Sequence, residues 1–338
     1  MADLKQSDIA AARVAIGERI HTTPLLSSET LSERVGVTVL LKAELFQKTG
    51  SFKTRGAFTK LLTLSAEQRS RGVIAVSSGN HAQAVAYCAQ RLQIPCLTVM
   101  WPSVSPQKLA ATRAYGAIVD LDSADAVEAV ERANRIAAER GLTLVPAYDD
   151  LDVIAGQGTI GEEILEQAES PDSVLIPVSG GGLLAGVAVS IKAGKPAARI
   201  IAVEPESSPT LTEALAAGRP VFVPQHSMVD GLGAPQIGAL CYDIALRHID
   251  SVVTVPDGET VCAMRWLFEH AKLVVEPAGA VTTAALLSQR VAFGGNETAV
   301  ALISGGNIDP AQAARYLQRP GEYLPAVAGA PPSIDGKV

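Results

Sequence analysis

Val174-Leu175-Ile176-Pro177-Val178-Ser179-Gly180-Gly181-Gly182-Leu183-Leu184-Ala185-Gly186 is the stretch on which the fold turns: an apolar run meets a glycine turn that opens straight into an apolar helix. A short apolar run bounded by glycine reads as a strand covered on both faces, as in parallel sheets. The same order recurs upstream. Val73-Ile74-Ala75-Val76 precedes a helical stretch from Asn80 to Leu92, Leu97-Thr98-Val99-Met100 one from Pro106 to Tyr115, and Ala117-Ile118-Val119 one from Ala124 to Arg140. Downstream, Ile200-Ile201-Ala202-Val203 leads into another helix, and Thr298 to Ile303 ends in Ser304-Gly305-Gly306-Asn307. This alternation predicts βαβ units on parallel sheets. At 338 residues, 48% of them hydrophobic, the chain exceeds the usual size of a single core. The expected architecture is α/β, with two open twisted sheets and a cleft where glycine turns leave the strands' carboxyl ends. No repeat of 20–50 residues is found.

Composition excludes several partners. The net charge of −7 is spread along the chain without a run of Lys or Arg, which argues against nucleic acid and against a polybasic membrane contact. Met1 to Asp8 has acids where a leader has bases, and no apolar run approaches the length of a membrane span, so a cytoplasmic protein is expected. Cys88, Cys96, Cys241 and Cys262 form no Cys-x-x-Cys pair and read as reduced, buried thiols. The five histidines form no His-x-x-x-His pair, which leaves zinc-type ligation without local support.

Four short segments carry chemistry. The Ser179 to Gly186 turn sets backbone N–H groups at a helix start, a geometry that suits an anion, although a tight left-handed turn needs the same glycines. It lacks the Lys-Ser/Thr ending of a P-loop, so a lone phosphate group fits better than a nucleoside triphosphate. Ser77-Ser78-Gly79-Asn80-His81-Ala82-Gln83 offers hydroxyl, amide and N–H donors for a carboxylate, while Ser78 or Asn80 equally suits a helix cap. Ile303-Ser304-Gly305-Gly306-Asn307 reads as a further turn, with Ser304 as a cap in its plainest role. Gly50-Ser51-Phe52-Lys53-Thr54-Arg55-Gly56-Ala57 contains a lysine that, taken alone, would be a solvated surface group.

Together and in this order, the four segments resemble the serine/threonine dehydratase (threonine ammonia-lyase) and serine racemase family of fold-type II pyridoxal-phosphate (PLP) enzymes. Tyr148-Asp149-Asp150, Val153 to Gly161 and Val275-Glu276-Pro277-Ala278-Gly279-Ala280 extend the resemblance over roughly residues 15–320. It implies the tryptophan-synthase-β-like architecture of two open twisted-sheet domains: a large PLP-binding domain of residues 1–46 plus 151–325, a small domain of residues 47–150, and a loose tail over 326–338. It implies that Lys53 holds PLP as a Schiff base with Phe52 near the ring, that Asn80 bonds the phenolic oxygen, that Ser179, Gly180, Gly181, Gly182 and Leu183 hold the phosphate, and that Ser304 meets the pyridine nitrogen. Gly231 would lie against the other ring face. Ser77, Ser78, Gly79, Asn80 and His81 would hold the substrate carboxylate, and Ser78 would be the second catalytic residue.

Such a site carries out α,β-elimination of a 3-hydroxy amino acid such as L-threonine or L-serine, releasing a 2-oxo acid and ammonia. A buried lysine has a lowered pKa and serves as base at Cα, and PLP takes up the carbanion's charge. Serine racemisation is the alternative, because Ser78 offers an acid opposite Lys53; elimination from a bulkier substrate such as phenylserine or hydroxyaspartate is another. Cysteine-synthase-type β-replacement is disfavoured by the Ser51 to Gly56 segment, and a non-enzymatic PLP carrier by intact Lys53, Asn80 and Ser304. Some relatives bind a divalent cation at the position of Glu204. Here Thr210 stands where they have an Asp, which makes the cation doubtful. A homodimer is expected, and an appended regulatory domain is not.

Overall fold

The structure is a computed structural model that describes residues 3–318 and 320–323; the expected tail over 326–338 lies outside the described residues. Among the described residues ten strands alternate with helices: β1 (Leu25–Ser27), β2 (Thr38–Ala43), β3 (Val73–Val76), β4 (Cys96–Val99), β5 (Ile118–Asp120), β6 (Thr143–Leu144), β7 (Ser173–Pro177), β8 (Arg199–Pro205), β9 (Ser251–Val255) and β10 (Thr298–Ile303). They form a six-stranded sheet, ordered β1-β2-β10-β7-β8-β9, and a four-stranded sheet, ordered β5-β4-β3-β6. Among the described residues the β1–β2 ladder is the only antiparallel one; the other ladders are parallel, with Val300 opposite both Leu40 and Val174, and Ile74 opposite both Leu97 and Leu144. The mixed α/β fold with two sheets is the fold-type II architecture.

Successive side chains of a strand point to opposite faces, and the burial pattern shows the consequence. Val174, Ile176, Ile200, Ala202, Val300 and Leu302 pack into one apolar cluster, with residues of the helices Leu151–Gln167 and Gly182–Gly194. Their neighbours Leu175, Ile201, Val203, Ala299, Ala301 and Ile303 pack into another, against the helices Asp257–Trp266 and Pro277–Leu287. Both faces are covered, which is why these strands are continuous apolar runs. The smaller sheet repeats the scheme, with Val73 and Ala75 on one side and Ile74, Leu97 and Val99 on the other.

Two helices couple the sheets. Lys53–Thr63 lies against Leu151–Gln167, where an added Cβ on Gly156 would stand 2.6 Å from both the Arg55 carbonyl oxygen and the Gly56 Cα. Only glycine permits that approach. At the same contact Arg55 is fully buried and doubly bidentate: Nε and Nη2 donate to the Glu44 carboxylate at 2.8 Å each, and Nη1 and Nη2 to Glu163 at 2.7 and 2.9 Å. Lys42 Nζ completes the cluster, donating to Glu163 at 2.6 Å, to the Thr23 carbonyl at 2.7 Å and to Gln167 at 2.8 Å. Burial alone would raise the Glu163 carboxyl, but Arg55 and Lys42 outweigh it and hold the pKa below its ordinary value.

Among the cysteines, Cys88, Cys96 and Cys241 are buried and unpaired, whereas Cys262 is only half-buried. No helix is long and apolar enough to cross a membrane among the described residues.

Candidate active site

The expected site residues of the Ser77, Ser179 and Ser304 turns follow the carboxyl ends of parallel strands, whereas Lys53 follows two short 3-10 turns and Gly231 lies in another. Lys53 opens its helix; just before it, Ser51 bridges Gly305 and the Phe52 N–H donates to the Ser304 carbonyl at 3.2 Å. The lysine segment is thereby fastened to the Ser304 turn at the end of β10. Lys53 Nζ donates to the Ala147 carbonyl at 2.8 Å and lies 5.0 Å from the centre of the Phe52 ring. The residue as a whole is half-buried, but desolvation of its amine lowers the pKa from 10.5 to about 8.

Residues Ser179 to Leu183 join β7 to the helix Gly182–Gly194, with Gly181 at φ 92°. An added Cβ on Gly180 would stand 2.2 Å from the Tyr148 ring, so the aromatic face lies directly on the turn. Tyr148 is thereby packed against the loop. Its neighbour Asp149 accepts from the amides of Ala239 at 3.1 Å and Leu240 at 2.9 Å, pinning the start of the helix Ala239–His248, and the Gly238 N–H donates to the Gly180 carbonyl at 3.0 Å. Ser179 Oγ accepts the Ala234 N–H at 2.8 Å, tethering the loop that carries Gly231. Among the described residues, the amides of Gly180 to Leu184 have no hydrogen-bond acceptor. A row of unmatched N–H groups at a helix N-terminus is the donor set a phosphate dianion requires.

The turn after β3 meets this site from the other sheet. Asn80 and His81 begin the helix Asn80–Arg91, and the Gly79 N–H donates to Ser77 Oγ at 3.0 Å. Ser78 is half-buried. The ring of His81 is turned away into the core, with Nε2 2.8 Å from the Val145 carbonyl, and burial with the nearby Lys53 charge depresses its pKa to about 3. It is therefore neutral, and only its backbone N–H can serve a carboxylate at the turn. Asn80 Nδ2 donates to Glu276 Oε1 at 2.5 Å, and Asn80 Oδ1 accepts from Asn307 Nδ2 at 2.8 Å. Ser304 Oγ, buried, donates to the Ala278 carbonyl at 3.2 Å, and rotation of that hydroxyl frees its proton for another acceptor. Gly231 lies on Ala278, since a Cβ there would come within 2.7 Å of the Ala278 Cβ.

Two residues given no role in the sequence analysis stand at the site, Glu276 and Lys108. Glu276 is buried, with Oε2 lacking a hydrogen-bond partner, and desolvation lifts its pKa from 4.5 to about 7 despite the nearby Lys108. Lys108 Nζ donates to Asp230 Oδ2 at 2.8 Å and stands 4.0 Å from Glu276 Oε2. In sequence Lys108 is one lysine of a polar helix, and nothing local marks it. Glu276 did carry a signal, a carboxylate set between Val275 and a helix-opening Pro277.

Glu204 has a different occupation from the one considered for a cation. Oε1 accepts from Leu211 N at 2.6 Å and Thr210 Oγ1 at 3.1 Å; Oε2 accepts from Thr212 N at 2.9 Å and Thr212 Oγ1 at 2.8 Å. The carboxylate anchors the start of the helix Thr210–Ala217. No group of three or more metal-ligating side chains occurs among the described residues.

The unmatched amides of the glycine turn, the buried amine of Lys53 and the Ser304 hydroxyl suit the phosphate, aldehyde and ring nitrogen of PLP, so the donor set fits that cofactor. The profile of the family described as pyridoxal-phosphate dependent enzyme matches residues 16–305. The chain is 42% identical to an L-threonine ammonia-lyase of Thermotoga maritima over 304 residues, covering 89% of this chain and 75% of that protein. It is 39% identical to a phenylserine dehydratase of Ralstonia pickettii, covering 92% and 95%. The solved structure of maize serine racemase superposes with a TM-score of 0.89 at 33% identity, over 95% of this chain and 99% of that one. On the match of its profile and its relatives, the chain belongs to the pyridoxal-phosphate-dependent enzyme family and is an enzyme that uses that cofactor.

Proposed function

We propose that this enzyme catalyses α,β-elimination of a 3-hydroxy amino acid of the threonine or serine type, giving a 2-oxo acid and ammonia. The observation that carries the reading is Lys53, whose desolvated amine, with a pKa near 8, bonds the Ala147 carbonyl next to Tyr148, the residue packed on the glycine turn, and acts electrostatically on Glu276 and His81. Its relatives named as L-threonine ammonia-lyase and phenylserine dehydratase support elimination as the reaction. PLP, when bound, supplies the electron sink for the pair left on Cα. The chain's own groups do the rest. Lys53 Nζ would take the Cα proton as the β-hydroxyl leaves as water, and hydrolysis of the imine tautomer of the released product gives the 2-oxo acid and ammonia; the amides of Gly180 to Leu183, with Ser179, would hold the phosphate end, Asn80 the phenolic oxygen and Ser304 the ring nitrogen, with Phe52 and Gly231 beside the ring. The turn from Ser77 to His81 grips the substrate carboxylate with backbone N–H groups and hydroxyls, aligning Cα–H with the amine.

Racemisation is kept as a second reading on one observation: the Ser78 hydroxyl, unlike that of Ser77, makes no hydrogen bond among the described residues and is free to carry a proton. A panel of L-threonine, L-serine, phenylserine and 3-hydroxyaspartate, assayed for oxo acid and for D-isomer, separates the two. Oxo acid from at least one substrate at a rate above D-isomer formation is expected; D-isomer as the main product would reverse the order.

The proposed division into residues 1–46 with 151–325, and 47–150, is supported by the membership of the two sheets among the described residues. For homodimer formation the support is the exposure of two large apolar side chains, Phe268 and Val274, and light scattering tests it. A cytoplasmic setting is supported by four unpaired cysteines.

A further inference from the structure

A chain of side-chain amides crosses the site, and its direction is set at one end. Asn307 Nδ2 donates twice, to the Thr49 carbonyl at 2.7 Å and to Asn80 Oδ1 at 2.8 Å. A backbone carbonyl can only accept, so Asn307 must turn its NH₂ group toward Thr49, and the atom of Asn80 that meets that group must be the oxygen. Asn80 Nδ2 is thereby directed the other way, where Glu276 Oε1 accepts at 2.5 Å. One Nδ2 hydrogen is used there. The second remains.

The anchor is built with unusual backbone. Thr49 holds φ 62°, a conformation that a β-branched residue adopts only when its surroundings enforce it, and Gly50 follows at φ 75°. A Cβ on Gly50 would stand 2.4 Å from Asn307 Oδ1, so the Asn307 amide lies flat on this turn. The Gly306 N–H closes the contact by donating to the Gly50 carbonyl at 2.9 Å.

We propose that Asn307 and Glu276 are positioning residues that lock the Asn80 amide in one orientation, so that its second Nδ2 hydrogen is always the atom offered to the phenolic oxygen of the cofactor. The proposal rests on the assignment of Asn80 to that oxygen. Without the lock, rotation of the amide by half a turn would present Oδ1, an acceptor facing another acceptor, and the hydrogen bond would become a repulsion.

The test compares variants by the visible absorption spectrum of the holoenzyme at fixed pH and by the affinity of the apoenzyme for PLP, with circular dichroism to establish the fold. Asn307→Asp keeps the shape but replaces the donor by an acceptor. It is expected to displace the visible band and weaken PLP binding by about ten- to a hundred-fold, the loss of one hydrogen bond to a charged group. Glu276→Gln keeps an acceptor opposite Asn80 and is expected to retain the wild-type band, with affinity within about three-fold. An unaltered band and affinity in Asn307→Asp would overturn the proposal, as would equal damage from both variants, which would make charge rather than direction the cause. Should Asn307→Asp not fold, Asn307→Ala removes the donor without adding charge; a displaced band supports the lock and an unchanged one overturns it. Asn80→Ala distinguishes the two levels of the argument. If it displaces the band while Asn307→Asp does not, only the lock fails; if neither does, the assignment of Asn80 fails as well.

Discussion

Lys53 and Arg55 stand two residues apart on one helix, and each carries a cation into the interior, yet their surroundings differ in kind. Arg55 is surrounded by acceptors that match its donors: both carboxylates are bidentate, Thr159 Oγ1 accepts from Nη1 at 3.1 Å, and Lys42 supplies the second positive charge. Among the described residues the Lys53 amine has one hydrogen bond, to a carbonyl, and two buried oxygens of the site, Glu276 Oε2 and Ser51 Oγ, have no hydrogen-bond partner, Lys108 Nζ standing 4.0 Å from the first. Saturated buried charge holds a structure together; unsaturated buried polarity is kept ready for a ligand. The two carboxyl groups show the same division, since Glu163 is pulled below its ordinary pKa by cations whereas Glu276 is pushed above it by burial.

Replacing each member of the pair gives the sharpest separation. Lys53→Ala should abolish the visible cofactor band and lower turnover by at least about a thousand-fold, because in the proposed function one group serves as both covalent anchor and base. Its thermal stability should stay within about 1 kcal/mol of wild type, as nothing depends on that amine for a hydrogen bond except the Ala147 carbonyl. Oxo-acid release, absorbance and unfolding scans measured on the same preparation check both halves; an active Lys53→Ala protein with an intact band would refute the site. Arg55→Ala should do the reverse, costing about 3–5 kcal/mol in unfolding free energy by leaving Glu44 and Glu163 buried without their partner. A folded, stable Arg55→Ala protein would erase the distinction drawn here.

The carboxyl groups separate the clusters by pH. Glu163, lowered in the fold, contributes stability that is present above its ordinary pKa and lost as pH falls through the folded value. Glu276, raised from 4.5 to about 7, contributes in the opposite sense: its term is full below about 4.5 and is lost as pH rises through 7. The Glu276 term amounts to about 3 kcal/mol at roughly 1.4 kcal/mol per pKa unit. Glu276→Gln should remove that decline, so the wild-type and variant unfolding free energies should draw apart between pH 5 and pH 8; parallel curves would place Glu276 in the saturated class. The smallest effect is expected at Glu204, a carboxylate fully occupied by helix donors. Thr212→Val removes one of them and should cost about 1 kcal/mol by denaturant unfolding while leaving the cofactor band unchanged.

Much of this was legible in order along the chain. The runs Val73–Val76 and Thr298–Ile303 are strands with the boundaries read from their apolar pattern, and the helix expected from Asn80 to Leu92 spans Asn80–Arg91. The chemical motifs were legible because a glycine turn between strand and helix announces itself within a few residues. Tyr148 was not, since its ring reaches the glycine turn from more than 30 residues away in sequence. The same holds for the link from Lys108 to Asp230 and for the direction in which His81 points.

From the order of residues alone came the alternation of strands and helices, which depends on periodicity and on backbone requirements local to each turn; the family and the role proposed for Lys53 came from the resemblance of short motifs to known enzymes. Tertiary structure decided which buried charges are matched and which are left open. That depends on where side chains from distant segments end, a matter of packing directions that no short stretch of sequence encodes.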